Sequence, residues 1–471
     1  MLIENQQTTN KPNEHPKGLM ERFGTSIKLF IIGFLTLVLL IPLSMIGELI
    51  RDRQSTQSEA IKDITSKWGS EQTIVGPCIA IPYTETVMQD NKQTLVENNL
   101  LILPESLSVK GDTKVTKRKR GIYDASVYTA NLNLSGHFNT KLLNKTGIEL
   151  SKLKLNEAKI ILGLSDLKGI KEIVKIETNG KTFDFESGLG IQNLAVGAII
   201  DESNYRDIPA STGVNDSGIF SVGLNAKLDS VNLQNENLPF NISLKVNGSQ
   251  GLYIIPTGKT TTAQYTSDWS TPSFSGSFLP EKSEIKNNGF SSNWKVIDLN
   301  RSFAQVIKSD NQKEINQMAA SRFGVRFIQA VDQYQQNTRS VKYAILIILL
   351  TFVVVLFIEL MQKKSVNPFQ YLLVGLALVL FYTLLLSMSE VVGFNLAYLI
   401  ATVMTSGLIT IHLSSILKNR KQGMLIGALI IFLYLFIYLL IQMESFSLLV
   451  GSVALFCFLA VIMYYSRKLK I

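Results

Sequence analysis

Apolar residues are distributed along this chain in two ways. Over Leu29–Ile50, and again from Tyr343 onward, they run together almost without charge. Between those regions they alternate with Asn, Ser, Thr, Gly and Lys. A helix needs about 20 apolar residues to cross a bilayer, so the first pattern predicts membrane spans. Leu29–Ile50 supplies one, with no charge before Glu48. A secretory signal is the other reading, but the stretch is too long for a signal core and no small-x-small cleavage site follows. Either reading sends the following residues out of the cytoplasm. The C-terminal third predicts five more spans: Tyr343–Met361, Tyr371–Met388, Phe394–Leu417, Met424–Ile441 and Phe446–Tyr465. Pro368 breaks the chain between the first two of these.

The intervening region opens with a helical pattern. Ala60, Ile61, Ile64 and Trp68 recur at spacings of three and four, and Gly69 ends the run. This short helix extends the first membrane helix outward. From Thr73 the period changes. Ile74–Tyr83, Leu100–Leu103, Val127–Leu134, Phe220–Leu228 and Phe240–Val246 read as short strands, punctuated by Asn-Gly, Asp-Ser-Gly and Asn-Asn-Gly. Alternation marks Leu132, Leu134, Leu224, Leu228, Ile242, Leu244 and Val246 as inward-facing. Many short strands with polar turns predict β-sandwich packing, in two units, with a helix over Leu142–Leu153 between them. Val325, Phe327 and Ile328 read as a last strand. Asp332 and Gln335 then make a D-x-x-Q capping pattern, so a helix starting at Gln333 leads into the second span.

The predicted fold is therefore an α+β membrane protein. Six transmembrane helices carry a large extracytoplasmic β-sandwich-like domain between helices 1 and 2. Residues 1–27 form a tail, 28–50 the first span, 51–340 the β-rich domain, 341–466 a five-helix membrane domain and 467–471 a second tail.

Charge orients this arrangement. The 471 residues are 46% hydrophobic and only 18% charged, with a net charge of +9. A basic chain raises the question of nucleic acid. Residues 51–340, however, carry 33 basic and 30 acidic side chains, and the remaining excess sits in the tails and short loops. That excludes a phosphate-binding face and fits membrane orientation. The basic clusters are Lys11–Lys28, Lys363–Lys364, Lys418–Lys421 and Arg467–Lys470. The opposite loops, Ser389–Gly393 and Gln442–Ser445, contain Glu390 and Glu444 and no Lys or Arg. Six spans put all four basic clusters on one side, whereas an odd number separates the tails. Both termini are predicted cytoplasmic and residues 51–340 extracytoplasmic, with the lipid bilayer as obligatory partner. Cys78 is the only cysteine of the outer region, so no disulfide is predicted there.

A search for chemistry returns little. The three histidines, His15, His137 and His412, have no spacing that suits zinc, and a G-x-S-x-G elbow is absent. Pro256-Thr-Gly-Lys-Thr260 resembles the end of a phosphate loop, but its first glycine position is Tyr253, and it faces a compartment without ATP. Asp166, Asp184 and Glu186, or Asp201, Glu202 and Asp207, have the chemistry for Ca²⁺, although solvated turns are the favoured reading. Lys117-Arg118-Lys119-Arg120 reads as a solvated hairpin end, with contact to anionic lipid or a partner as the alternative. No catalytic, cofactor or metal-binding residue is assigned. Two groups remain as candidates. Glu359 and His412 lie toward the cytoplasmic ends of their helices, level with one another, as an intramembrane polar pair within reach of the interface. Trp269, Phe274, Phe278, Phe290 and Trp294 crowd one segment with Pro272, Pro280, Gly276 and Gly289. They either fill a core or grip headgroups or a membrane partner.

Several stretches resemble the CreD family of bacterial inner-membrane proteins, also described as cell envelope integrity proteins. They are Val75-Gly-Pro-Cys-Ile-Ala-Ile-Pro82, Leu103-Pro-Glu-Ser-Leu107, Arg120-Gly-Ile-Tyr123, Asp268–Pro280 and Gly289–Trp294. Asp332-Gln-Tyr-Gln335, Arg339, Lys342–Ile345, Asn367–Gly375 and Ser387–Glu390 continue the series. The resemblance covers about residues 25–465. Lys168 stands where the family pattern has Arg, and Met1–Gly18 has no counterpart. The resemblance implies an inner-membrane protein linked to envelope integrity and stress response, and it implies no reaction or cofactor. A non-enzymatic protein that binds an envelope protein, lipid or glycan partner is the primary expectation, with oligomeric state open. The alternatives are a transporter or channel built on the last five helices, a glycan- or lipid-acting enzyme, and a sensor that signals through a separate partner.

Overall fold

The computed structural model describes residues 24–89, 92–146, 148–191, 194, 219–228, 237–327, 333–362, 366–418, 420–443 and part of 449–463. The chain divides into two compact units, one of residues 57–330 and one of residues 1–56 with 331–471. A single helix, α1 (Gly24–Trp68), contributes its first part to the second of these and its last turns to the first.

Unit 57–330 is built on strands. In chain order they begin with β1 (Gln72–Gln89), β2 (Lys92–Ile102), β3 (Ser106–Arg120), β4 (Tyr123–Asn139), β5 (Lys159–Leu164) and β6 (Lys175–Thr178). There follow β7 (Lys181–Asp184), β8 (Glu186–Ser187), β9 (Val222–Lys227), β10 (Asn237–Ser249), β11 (Gly251–Ile254) and β12 (Thr260–Ser267). The last are β13 (Pro272–Gly276), β14 (Lys282–Lys286), β15 (Gly289–Ile297), β16 (Val306–Lys308) and β17 (Phe323–Phe327). They divide between two sheets. The nine-stranded sheet has the order β13-β17-β11-β1-β5-β9-β8, with β2 pairing β1 and β16 pairing β2. The eight-stranded sheet has the order β14-β15-β12-β3-β4-β10-β6-β7.

The two sheets share one buried cluster. Ile74, Ile79 and Ile81 of β1, Leu162 of β5 and Leu252 of β11 enter it from the nine-stranded sheet. Val109 of β3, Leu132 and Leu134 of β4, Ile242, Leu244 and Val246 of β10, and Trp294 of β15 enter it from the eight-stranded sheet. All seven positions read from alternation as inward-facing are in this cluster. The other face of the nine-stranded sheet is covered too. Val75, Cys78 and Ala80 of β1 join Leu101, Ile161, Phe220 and Phe303 in a second cluster, closed by Ile315, Met318 and Ala319 of α2 (Gln312–Ala320). A strand buried on both faces reads as a continuous apolar run, which is why Ile74–Ile81 shows so little alternation. A register shift between Val75 and Cys78 keeps the alternate residues on their proper faces. The eight-stranded sheet has no second cluster among the described residues, and β3, β10 and β12 alternate buried and exposed along much of their length.

The last turns of α1 are held within this unit. Trp68 donates its indole N–H to the Tyr128 carbonyl at 3.2 Å, and the Arg118 guanidinium lies 4.5 Å above its ring. Arg120 pairs with Asp63. The Lys117–Arg120 run is a hairpin end, as its charge predicts, but two of its side chains are used against the helix. The helix expected over Leu142–Leu153 is instead two short 3-10 turns, Thr140–Lys145 and Leu150–Lys152. Leu143 and Leu153 are buried in the main cluster, and two short turns place them there without a continuous helical stripe.

In the other unit, α1 is followed by α3 (Gln333–Lys342), α4 (Ala344–Gln362), α5 (Pro368–Val392), α6 (Phe394–Leu417) and α7 (Arg420–Gln442). Among the described residues four helices are long and apolar enough to cross a membrane, or five if α3 and α4, bent by 40°, count as one. The capping pattern at Asp332 lies outside the described residues, and the expected span Phe446–Tyr465 lies largely outside them. Asn367 caps α5, accepting from the Phe369 N–H, with Pro368 at the position where a missing N–H costs least.

A fragment of residues 57–330 is expected to be soluble and to give a β-dominated circular dichroism spectrum. Burial raises the Cys78 thiol well above its ordinary pKa, so a maleimide should leave it unmodified at pH 7 until denaturant is added. Fast modification of the folded fragment would contradict this core.

Candidate functional site

The aromatic segment spends most of its rings inside. Phe290 and Trp294 are buried, and Trp269, Phe274 and Phe278 are half-buried against the main cluster. Trp294 lies edge-on to Tyr265 and Phe274, each at 5.6 Å, and its indole N–H reaches the Phe278 carbonyl at 3.1 Å. Phe274 also meets Phe290 at 5.7 Å, and Phe278 meets Phe323 at 6.0 Å. Gly111 makes room beneath the Tyr265 ring, since a Cβ there would fall 2.5 Å from it. The segment joins the sheets: β13 pairs with β17 in one and β15 with β12 in the other. Trp269 is the outlying member, with Lys117 5.8 Å from its ring centre.

Some polar side chains in the helical unit meet one another, whereas His412 Nε2 is buried without a hydrogen-bond partner among the described residues. Glu359 of α4 is buried and accepts from Lys28 of α1, from the Tyr371 hydroxyl at 2.8 Å and from the Val366 N–H at 3.1 Å. No hydrogen bond or ion pair joins it to His412 among the described residues. The two residues lie on α4 and α6, each of which packs against α5 and α7. A second group joins α3 to α5. The Tyr334 hydroxyl donates to Glu390 at 2.8 Å, and the Asn337 amide donates to the Ser389 hydroxyl at 2.9 Å. Arg53 approaches Glu390 at 4.0 Å. Neither partner is legible in sequence: Lys28 is 331 positions from Glu359, and Tyr371, 12 positions away, lies on a different helix.

The other candidates resolve individually. Asp166 is used locally, accepting from the Ser70 and Lys168 N–H groups, and Asp184 pairs with Lys175 at 3.6 Å. Asp201, Glu202 and Asp207 lie outside the described residues. Lys259 of the Pro256–Thr260 stretch donates to Glu105 at 2.9 Å.

A further polar site has no distinct signal in the sequence. The uncovered face of the eight-stranded sheet forms a trough of about 620 Å³, crossing β12, β3, β4, β10 and β6. Its rim on one side is the turn at Glu172 and Ile173. The register aligns its side chains in rows. Gln264 stands beside Lys110, Lys110 opposite Asn133, Asn133 opposite Ser243 and Ser243 opposite Lys175. The next row is Thr266, Asp112, Asn131 and Lys245. In sequence these are the polar members of alternating strands, Asn131-x-Asn133 and Asn241-x-Ser243-x-Lys245, indistinguishable there from a solvated face.

Comparison with known proteins places this architecture. The family model described as Inner membrane protein CreD matches residues 24–471. The chain belongs to the CreD family. Inner membrane protein CreD of Escherichia coli (strain K12) is 31% identical over 437 residues, covering 92% of this chain and 90% of that protein. The CreD-like stretches fall at the joints of the structure. Val75–Pro82 is the doubly buried part of β1, and Asp268–Trp294 is the aromatic bridge. Tyr334, Ser389 and Glu390 form the contact of α3 with α5, and Tyr371 holds Glu359. A CreD-family inner-membrane protein with several apolar helices and a large β-sheet domain is thus established.

Trp294→Ala should lower the stability of the β unit by about 3–5 kcal/mol in denaturant titration. Trp269→Ala should cost about 1 kcal/mol or less, because its ring is only partly buried. Glu359→Ala removes the acceptor of Tyr371 and Lys28. It should cost about 1–3 kcal/mol, read as a lower Tm in detergent. Equal effects for Trp269 and Trp294 would contradict the placement of the segment.

Proposed function

We propose that this protein crosses the bacterial inner membrane six times, keeps both termini in the cytoplasm and presents residues 51–340 to the periplasm. The two sheets then form a β-sandwich-like binding domain, which supports envelope integrity and the envelope stress response without catalysing a reaction. The contrast between the two sets of polar groups carries this reading. In the helical unit Glu359 is engaged by three donors, and Asn337, Ser389, Tyr334 and Glu390 engage one another. Groups held in this way serve as fixed joints between helices, whereas a coupled transporter needs a carboxylate that exchanges partners. In the β unit, by contrast, a whole sheet face offers polar side chains to water. That favours binding by the domain over transport by the helices.

The orientation follows from charge. Arg and Lys cluster in the tails and in the loops at Lys363–Lys364 and Lys418–Lys421, and cytoplasmic loops carry this excess. Alkaline phosphatase fused after Asn247, Gly393 or Glu444 should be active. A fluorescent protein that matures only in the cytoplasm should be bright after Lys364 or Arg420. A bright fusion at Asn247 would overturn the reading.

A further inference from the structure

The geometry points to the trough on the eight-stranded sheet as a binding site for an extended, uncharged glycan that carries acetamido groups. The inference rests on the periplasmic placement proposed above and names the class of partner for that domain.

The trough exists because the two sheets are treated differently. Among the described residues the nine-stranded sheet is buried on both faces, and the eight-stranded sheet on one. The free face is neither flat nor apolar. It is concave, with a volume of about 620 Å³, and Ile173 at its rim is a large apolar side chain 75% exposed. Neighbouring strands lie about 4.8 Å apart, so the row from Gln264 to Lys175 spans roughly 19 Å across five strands. That is a track for an extended chain rather than a pocket for one small molecule.

The electrostatics select a neutral occupant. Lys110, Lys175 and Lys245 are balanced by Asp112, Glu172 and Glu177. Most of these charges are also spent within the protein. Lys245 pairs with Glu172 at 2.7 Å and Lys175 with Asp184 at 3.6 Å. Asp112 accepts from Thr266 at 2.9 Å, and Glu177 from Asn241 at 3.3 Å. Among the described residues, the side chains of Asn131, Asn133, Gln264 and Ser243 make no hydrogen bond within the protein. Each amide offers both donors and an acceptor, and the hydroxyl offers one of each.

These features separate the classes of ligand. Nucleic acid and phosphate-rich polymers require a surplus of cations, which the trough lacks. A lipid surface requires apolar area, and Ile173 is its single large apolar side chain with substantial exposure. A peptide strand added to a sheet uses free backbone groups at an edge, whereas the trough crosses central strands whose backbone is paired on both sides. A sugar chain instead presents hydroxyls that donate and accept in alternation. Each of its acetamido groups adds one N–H donor and one carbonyl acceptor, which the free amides of Asn131, Asn133 and Gln264 can complement.

The test uses the full chain in a sugar-free detergent, titrated calorimetrically with chitotetraose and, separately, with maltotetraose. Saturable binding of chitotetraose, at least tenfold tighter than maltotetraose, is expected. The triple variant Asn131→Ala, Asn133→Ala, Gln264→Ala removes only exposed side chains, so its Tm should be unchanged while chitotetraose binding weakens at least tenfold. Absence of chitotetraose binding overturns the proposal. So does equal binding of the two sugars, binding unchanged in a folded triple variant, or exclusive binding of an extended peptide that the triple variant loses. The titration is indifferent to the side of the membrane, so its failure is distinguishable from a failure of the reporter fusions.

Discussion

A strand can be apolar on both faces only where something covers each of them, and β1 imposes that condition on the whole β unit. Ile74, Ile79 and Ile81 need one apolar layer, and Val75, Cys78 and Ala80 need another. The eight-stranded sheet supplies the first. Helix α2, with Phe220 and Phe303, supplies the second. Once both layers are in place, the eight-stranded sheet has spent one face on the shared core and its other face remains polar. The aromatic bridge from Trp269 to Trp294 follows from the same condition. It runs from one sheet to the other, and its buried rings fill the space between them.

The helical unit obeys a different rule. Inside a bilayer an unsatisfied polar group is costly, because no water replaces a missing partner. Several of its buried polar side chains are accordingly placed in contact, although the Thr351, Tyr382, Thr402 and Tyr434 hydroxyls and His412 Nε2 have no hydrogen-bond partner among the described residues. Glu359 gathers donors from α1, from α5 and from the chain between α4 and α5. Asn337 and Tyr334 of the short α3 reach Ser389 and Glu390 of α5. These bonds specify which helix meets which, a distinction that apolar packing in lipid makes weakly.

Much of this was legible in the sequence, for identifiable reasons. Runs such as Phe394–Leu417 and Met424–Ile441 are visible because a span must be long and uncharged, and α6 and α7 coincide with them closely. Leu132, Leu134, Ile242 and Leu244 were readable as inward positions because β4 and β10 each have one wet face. The same wet face hid the trough, since its Asn, Ser and Lys residues resemble any solvated surface until the register aligns them. Glu359 is legible as an intramembrane ionisable group within reach of the interface, but its hydrogen-bonding partners are not. His412 was level with it in the sequence pattern, whereas Lys28 and Tyr371 are brought to it by helix packing alone. The aromatic segment was recognised as unusual, and only the tertiary contacts reveal that Phe290 and Trp294 are core while Trp269 lies at the margin.

In the proposed topology the uncovered face of the eight-stranded sheet meets water outside the cytoplasm. Asn133 sits in the middle of that face, and the native Cys78 is fully buried. The most direct measurement is labelling of Asn133→Cys, in a Cys457→Ser background, by a membrane-impermeant maleimide on intact spheroplasts. Rapid labelling of the variant is expected, and none of the parent carrying Cys78 alone. Labelling of the variant only after the membrane is broken, or no labelling of the folded protein at all, would contradict it.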